Sequence, residues 1–482
     1  MLFTTRWRRV ILDEAHFIRN RDSKMAKAVC ALDSVSRWAV TGTPIQNHLN
    51  DLATLLKFLS VYPYNEKRIF DAEISHMWKA GNAEEAVKRL KRLAGCLLLR
   101  RPRKTVELPP RRDRACHIDL QPDERELDNQ IRSQTITQID EVLLQGSQKQ
   151  GTTSSFSVLQ QIVGMRLVCN LGLFYPHRHD SLAIAAKTPT AEDLNQAAQG
   201  RFNLLMNEVG SIICQRCAFT MDANYNPQEN SGRTDALFSR CAQFFCSNCV
   251  QTATRDKKRI GCGHDSSCTM ASVSTSPASL EAMPISMPIE QIAGAGYVPT
   301  KVTALIEDMQ ETPNDVKCVV FSTWTMTLDI IEVGLKQAGI SVLRYDGKVP
   351  QRERQKVIDR FRDDPSLRVL LLTLSCGAVG LTLTVASRAY LMEPSWNPTI
   401  EDQALARIHR MGQEKEVTTV RFYVKDSFEE AVVTNQKLKR ELAGILLATG
   451  RTESSELGHL EVKSDENSAL FILSDTLNLA HS

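Results

Sequence analysis

With 482 residues, 42% hydrophobic and 24% charged, the chain has room for roughly two to four domains and the composition of ordinary globular protein. No apolar run approaches the ~18–20 residues of a membrane span, the first residues lack a secretory-signal pattern, and a net charge of +3 is too small to name a partner. Thirteen cysteines, seven of them between Cys214 and Cys268, fit a metal site in a reducing compartment better than a disulfide framework.

Arg9-Val10-Ile11-Leu12 is a short apolar run that ends in Asp13-Glu14-Ala15-His16. The pattern predicts a buried parallel strand with chemistry at its carboxyl end. Adjacent acids there can divide the work, Asp13 holding Mg²⁺ through water and Glu14 polarising an attacking water. A second strand, Trp38 to Thr41, runs into Gly42-Thr43-Pro44-Ile45-Gln46-Asn47. D-E-A-H followed by T-G-T-P-I-Q-N resembles the second and third motifs of the Swi/Snf-type ATPases, DNA translocases of helicase superfamily two. The resemblance implies that Asp13, Glu14 and His16 serve ATP hydrolysis, and that Thr41, Gly42 and Thr43 couple nucleotide state to DNA. A phosphate-cradling G-x-x-x-x-G-K-[ST] loop should precede them, yet the sole Gly-Lys pair, Gly347-Lys348, is followed by Val349. The expectation is a chain that starts partway through its first lobe.

From Lys79 to Arg114 twelve Lys and Arg face four acids, an excess of eight that would attract a phosphate backbone. By resemblance, Arg100 and Arg101 lie at the exit from lobe one, near the cleft between lobes. Pro122 to Leu144 predicts a helix. Val158 to Asn170 predicts another, similar to the family's R-x-x-C-N helix, with Cys169 a packed core thiol.

Cys214-x₂-Cys217, Cys241-x₄-Cys246-x₂-Cys249 and Cys262-x-His264-x₃-Cys268 have zinc-ligand spacing, since each close pair offers two thiolates to one tetrahedral ion. Phe244-Phe245-Cys246-x₂-Cys249 resembles the RING finger inserted in the postreplication-repair branch of this family. That resemblance implies a first site of Cys214, Cys217, Cys246 and Cys249. The second departs from the pattern, with Gln243 where a histidine is usual; His264 is expected to replace it beside Cys241, Cys262 and Cys268. A structural or partner-binding knuckle is the reading preferred over a ubiquitin ligase. Thr269 to Pro299, rich in Ser, Pro, Met and Ala, reads as a linker.

Thr300 to Leu446 alternates helix and strand, which implies a parallel sheet with helices on both faces. Phe321-Ser322-Thr323-Trp324 resembles the family's fourth motif, Cys376 to Thr384 with Gly380 the fifth, and Gln403 to Gln413 the sixth. Departures are Ala378 and Thr382, where Gly and Asn are usual, and Lys348. Read as a helix, Gln403–Gln413 sets Gln403, Arg407 and Arg410 on one face and Ala404, Ile408 and Met411 on an apolar stripe, with Gly412 as the stop. The resemblance implies that Arg407 and Arg410 are arginine fingers toward ATP, with Gln403 and Gly380 near it and Ser322 and Trp324 coupling to DNA; His409 is expected to be structural.

The expected fold is α/β: a partial RecA-like lobe (1–115), a helical connector (116–210), a degenerate RING-like finger (211–270), a linker (271–299), a complete RecA-like lobe (300–450) and a tail (451–482). The expected activity is that of a DNA-stimulated ATPase of chromatin remodelling or repair, inactive as this chain. The alternatives are a non-catalytic DNA- or protein-binding remnant and a RING-type ligase. The resemblance further implies ATP, Mg²⁺ and Zn²⁺ as cofactors, with double-stranded DNA, nucleosome or repair factors and a ubiquitin-conjugating enzyme as partners. The nucleus is the expected location, with no membrane involved.

Overall fold

A computed structural model describes residues 2–19, 21, 23–42, 50–79, 83–99, 107–145, 153–175, 195, 198–200, 202–203, 211–214, 216, 220–222, 236–239, 244–256, 260, 270–275, 296–347, 349–377 and 380–447. They form two compact units, one centred on residues up to 107, the other on 108–395 and 400–432.

In the first unit β1 (Trp7–Leu12) pairs in parallel with β2 (Ser34–Ala39), Ile11 opposite Trp38 and Leu12 opposite Ala39. Val10, Leu12 and Ala39 pack on Ala15, Ile18, Ala26, Leu55 and Phe58, supplied largely by the helices Lys24–Cys30 and Asn50–Leu59. The strand direction is as expected, but its burial is not. Ile11 is 62% exposed and Trp38 56%, so only one face of the ribbon is covered.

The second unit begins with β3 (Arg111–Ile118), so the domain boundary expected at residue 115 falls inside a strand. Its three arginines read from sequence as part of a basic patch; all three are paired. Arg111 meets Asp113 at 2.8 Å, Arg112 meets Glu416, and Arg114 meets Asp308 at 2.9 Å. Two helices follow, Pro122–Gln145 and Thr153–Leu171, as the periodicity predicts.

The cysteine-rich segment holds a hairpin of β4 (Ser211–Ile213) and β5 (Thr220–Asp222). It also holds a three-stranded sheet in which β6 (Ala236–Ser239) lies between β7 (Phe244–Phe245) and β8 (Met270–Val273). β8 lies at the start of the stretch read as linker. Its Ser, Met and Ala have weak strand preference, and pairing with β6 outweighs it. Side-chain amides cover its outer edge: Asn195 Oδ1 accepts from Ser272 N–H at 3.0 Å, while Gln199 accepts from Ser274 N–H at 2.6 Å and donates to its carbonyl at 3.0 Å. An unpaired strand edge is thereby satisfied without another strand.

The remaining strands are β9 (Cys318–Ser322), β10 (Val342–Tyr345), β11 (Val369–Thr373), β12 (Arg388–Leu391) and β13 (Val417–Val424). With β3 they build a six-stranded sheet ordered β10-β11-β9-β12-β13-β3, every pair parallel. β9 and β11 are buried along their whole length, the result of unbroken aliphatic runs covered on both faces. One face packs on a core with Leu167, Leu171, Leu305, Leu328 and Ile331, the other on Ile358, Phe361, Leu405 and Ile408. This is the expected doubly covered α/β lobe.

Where the cysteine-rich segment leaves and rejoins the lobe, a clasp closes its base. Glu124, 1% exposed, accepts from Thr300 N–H at 3.0 Å and from the hydroxyls of Thr300 and Tyr297. The Tyr297 hydroxyl in turn accepts from Leu173 N–H at 3.1 Å. Gly172 allows this approach: it sits at φ +52, and a Cβ there would lie 2.1 Å from the Tyr297 oxygen.

Candidate functional site

In the first unit, the ends of β1 and β2 are stitched together where the motifs sit. Val40 N–H donates to Leu12 O at 2.8 Å and Ala15 N–H to Val40 O at 2.9 Å. Between them Glu14 adopts φ 47, ψ 48, a left-handed conformation that costs a non-glycine residue about 1–2 kcal/mol. Asp13 Oδ1 accepts the Glu14 N–H at 3.0 Å, which helps hold that turn. The turn directs His16 inward, where Nδ1 lies 3.2 Å from Glu14 Oε2 and 3.3 Å from Thr41 Oγ1. Burial lowers the His16 pKa, opposed by Glu14 and aided by Arg19, so the ring is neutral near pH 7 and accepts or donates according to its tautomer. One histidine thus hydrogen-bonds the threonine motif while lying beside the Glu14 carboxylate, whose Oε2 makes no hydrogen bond. Asp13 is exposed and Glu14 half-buried, a two-carboxylate donor set of the kind that Mg²⁺ takes through water. Thr43 lies outside the described residues, as do Arg100 and Arg101.

In the second unit the segment carrying Arg407 and Arg410 departs from its expected form. The helix Pro398–Leu405 ends before either arginine. Carbonyls that would continue it are taken elsewhere: Arg407 O accepts from Leu383 N–H at 2.9 Å, and Ile408 O from Arg410 N–H at 3.1 Å and Gln413 Nε2 at 3.2 Å. The arginines therefore lie on a stapled turn, Arg407 half-buried and Arg410 exposed. Ile408 is buried as expected, whereas Met411 is 70% exposed and off the core. Gly412, at φ +93, turns the chain after the arginines and does not stop a helix. Gln413 holds the turn, also donating to Ala386 O at 2.8 Å and accepting from Lys415 N–H at 2.9 Å. His409 Nε2 meets Pro109 O at 2.8 Å, a structural contact as expected. The bond from Leu383 brings the fifth motif's loop against the sixth, with Gly380 exposed at φ +26 and Gln403 half-buried.

Ser322 and Trp324 were expected to couple to DNA, but both side chains point into the protein. Ser322 is fully buried and Trp324 is 3% exposed. Thr323 and Thr325, half-buried, form the accessible part of that loop.

Cys214, Cys246 and Cys249 are buried with their sulfurs within 4.8 Å of one another. Cys246 N–H donates to Cys214 Sγ at 3.3 Å, the environment of a thiolate ligand. Cys249 sits in the first turn of the helix Ser247–Arg255, directly after Cys246. Cys217, Cys241, Cys262, His264 and Cys268 lie outside the described residues.

Residues 1–171 match the SNF2-related domain and residues 300–412 the helicase conserved C-terminal domain. The chain is similar to DNA repair protein RAD5A of Arabidopsis thaliana, 28% identical over 96% of this chain and 45% of that protein. It is similar to helicase-like transcription factor of Homo sapiens, 30% identical over 96% and 45%. The chain belongs to the SNF2-type helicase-like family. A putative SWI/SNF-related matrix-associated actin-dependent regulator of chromatin, subfamily A member 3-like 1, of Arabidopsis thaliana is 32% identical over 91% of this SNF2-type chain and 48% of that protein. Among solved structures it resembles the C-terminal part of the Fun30 ATPase domain, with 17% identity and a TM-score of 0.38, over 71% of this chain and 99% of that one. The chain spans about half the length of the curated relatives it matches.

Sequence reasoning missed Glu393, Lys301, Glu429 and Glu124, buried charged residues that hold the lobe together. A single acid or lysine in a sequence carries no signature of burial.

Proposed function

We propose that this chain forms part of a DNA-stimulated SNF2-type ATPase acting on duplex DNA in repair or chromatin remodelling in the nucleus. The observation that carries the reading is the His16 contact to both Glu14 and Thr41, which ties a hydrolytic acid pair to the loop after β2. Asp13 and Glu14 would hold Mg²⁺ and water, while Arg407 and Arg410 are suited to the charge on a transferring phosphoryl group. Bound Mg·ATP would supply a phosphoryl group activated for transfer to water. Duplex DNA would be held by its backbone, with little reading of bases.

The purified chain is expected to bind duplex DNA in a salt-dependent manner and to show no ATP turnover with or without DNA. DNA-stimulated hydrolysis abolished by Glu14→Gln would refute the claim of an incomplete nucleotide site. Absence of DNA binding at low salt would refute the DNA reading.

The Cys214, Cys246 and Cys249 cluster supports a further reading, a zinc finger completed by Cys217. A second zinc at Cys241, Cys262, His264 and Cys268 belongs to the same reading, as does docking of a ubiquitin-conjugating enzyme. Two zinc ions per chain are expected, falling to one in His264→Ala; one ion unaffected by that change removes the second site. Autoubiquitination lost in Cys246→Ser would favour the ligase over the partner-binding knuckle.

A further inference from the structure

Ser322 and Trp324 face inward, so something must fix the loop they anchor. Glu393, 1% exposed and two residues beyond β12, meets that loop directly. Its carboxylate accepts from Ser322 Oγ at 3.1 Å to each oxygen, and from Thr323 N–H. Ser322 Oγ also lies 3.2 Å from Trp324 N–H and 3.3 Å from Trp324 O. Three consecutive residues are thus oriented around one acid.

The acid is held in turn by the helix Thr153–Leu171. Asn170 Nδ2 donates to Glu393 Oε2 at 2.9 Å. Asn170 Oδ1 accepts from Lys301 Nζ at 2.8 Å, and Lys301 pairs with Glu429 at 2.5 Å and donates to Met392 O at 2.8 Å. One helical turn earlier, Arg166 donates to Pro394 O at 2.7 Å and stacks its guanidinium 4.8 Å from the Trp324 ring centroid. Burial pushes the Glu393 carboxyl up, while Thr323 N–H, Lys301 and Arg166 pull it back toward the ionised form. An ionised carboxylate is acceptor-only, which suits a site lined by donors.

We propose that Glu393, gripped by Asn170, and Arg166, stacked on Trp324, are the positioning residues of the 322–325 loop, setting the Thr325 N–H against a nucleic-acid phosphate. Ser322 and Trp324 are then scaffold, and the helix carrying Arg166 and Asn170 sets the pose of the loop. A shift of that helix moves both grips together, because they lie one turn apart on the same face. The phosphate contact rests on the DNA reading proposed above; the positioning does not.

The test uses the full chain with Glu393→Gln and Arg166→Lys. Glutamine keeps the shape but turns one acceptor oxygen into a donor against donors; lysine keeps the charge but loses the planar stack. The Trp324 contribution to fluorescence, taken by difference against W324F, is expected to shift to the red in both variants without DNA present. Duplex affinity is expected to fall roughly tenfold, the scale of one misaligned charge-assisted hydrogen bond, and the salt slope by about one contact. Unchanged emission and salt slope, with only a lower melting temperature, would overturn the positioning role. If Glu393→Gln fails to unfold cooperatively, Arg166→Lys decides by the same readings. If the wild-type chain binds no DNA, the DNA reading and the phosphate contact fail, and the emission shift alone decides the positioning.

Discussion

At the scale of single residues, the second unit places ionisable groups where desolvation is costly, and most are compensated. Lys301 is the fullest case, with three acceptors around its ammonium. Asp128 is the contrast. It is 2% exposed, its Oδ2 makes no hydrogen bond, and its nearest cation is Arg125 at 3.6 Å. Burial pushes its pKa up to about 6, with Glu429 adding and Arg125 and Arg132 opposing. The folded state therefore holds a proton between the ordinary carboxylate value of 3.8 and about 6, and stability falls as pH rises through that window. Asp128→Asn removes the ionisation and is expected to stabilise the second unit by about 1–3 kcal/mol at pH 7. The gain should shrink toward zero by pH 4. Thermal melts of the two proteins at both pH values read this; an equal difference at each would show that Asp128 does not titrate between them.

At the scale of elements, the strands most legible in the sequence are those buried on both faces. Cys318–Ser322 and Val369–Thr373 are short, largely apolar runs of the kind a parallel strand covered on both faces needs. β3 is illegible in the sequence because its partners are remote: Arg114 finds Asp308, and Val417 to Val424 supply its ladder, about 200 to 300 residues away. Sequence order shows three arginines within four residues; Asp113 beside them neutralises Arg111, and the acids that neutralise Arg112 and Arg114 are elsewhere. The arginine segment was misread for a different reason. Gln403 to Met411 has good helical spacing, but spacing does not reveal that Leu383 and Gln413 capture the carbonyls. The two readings make opposite predictions. On a helix Met411 belongs to the apolar stripe, and a charge there would be costly; on the observed turn Met411→Lys is expected to change stability by less than about 0.5 kcal/mol. Gln413→Ala, which strips partners from Ala386 O, Ile408 O and Lys415 N–H, is expected to cost about 1–3 kcal/mol. Denaturant midpoints of the two variants separate these forms, and the reverse ranking would restore the helix.

At the scale of the whole molecule, the two units differ in how completely their sheets are covered. The six-stranded sheet has a core on each face. The β1–β2 ribbon has one, and its other face presents Trp7, Ile11, Trp38 and Val40 to solvent, with Ile11 directly opposite Trp38. Parallel strands are stable chiefly when both faces are buried, and a contiguous apolar patch drives association in solution. Each fully covered Ile or Trp side chain would contribute about 1.5–3 kcal/mol, so Ile11 and Trp38 covered on both copies of a dimer give about 6–12 kcal/mol, against about 8 kcal/mol for a micromolar dissociation constant. The chain is therefore expected to bind a hydrophobic dye in its native state and to sediment with a concentration-dependent mass. Trp38→Lys, which leaves the inward side chains Val10, Leu12 and Ala39 untouched, is expected to weaken both effects at least about tenfold. The unfolding transition of the second unit should stay where it was, since its core contains neither strand. Sedimentation velocity of the wild-type and Trp38→Lys chains over a range of concentrations decides it: a monomer in both would mean that the open face is too small to bind, and an oligomer unaffected by the lysine would place the association elsewhere.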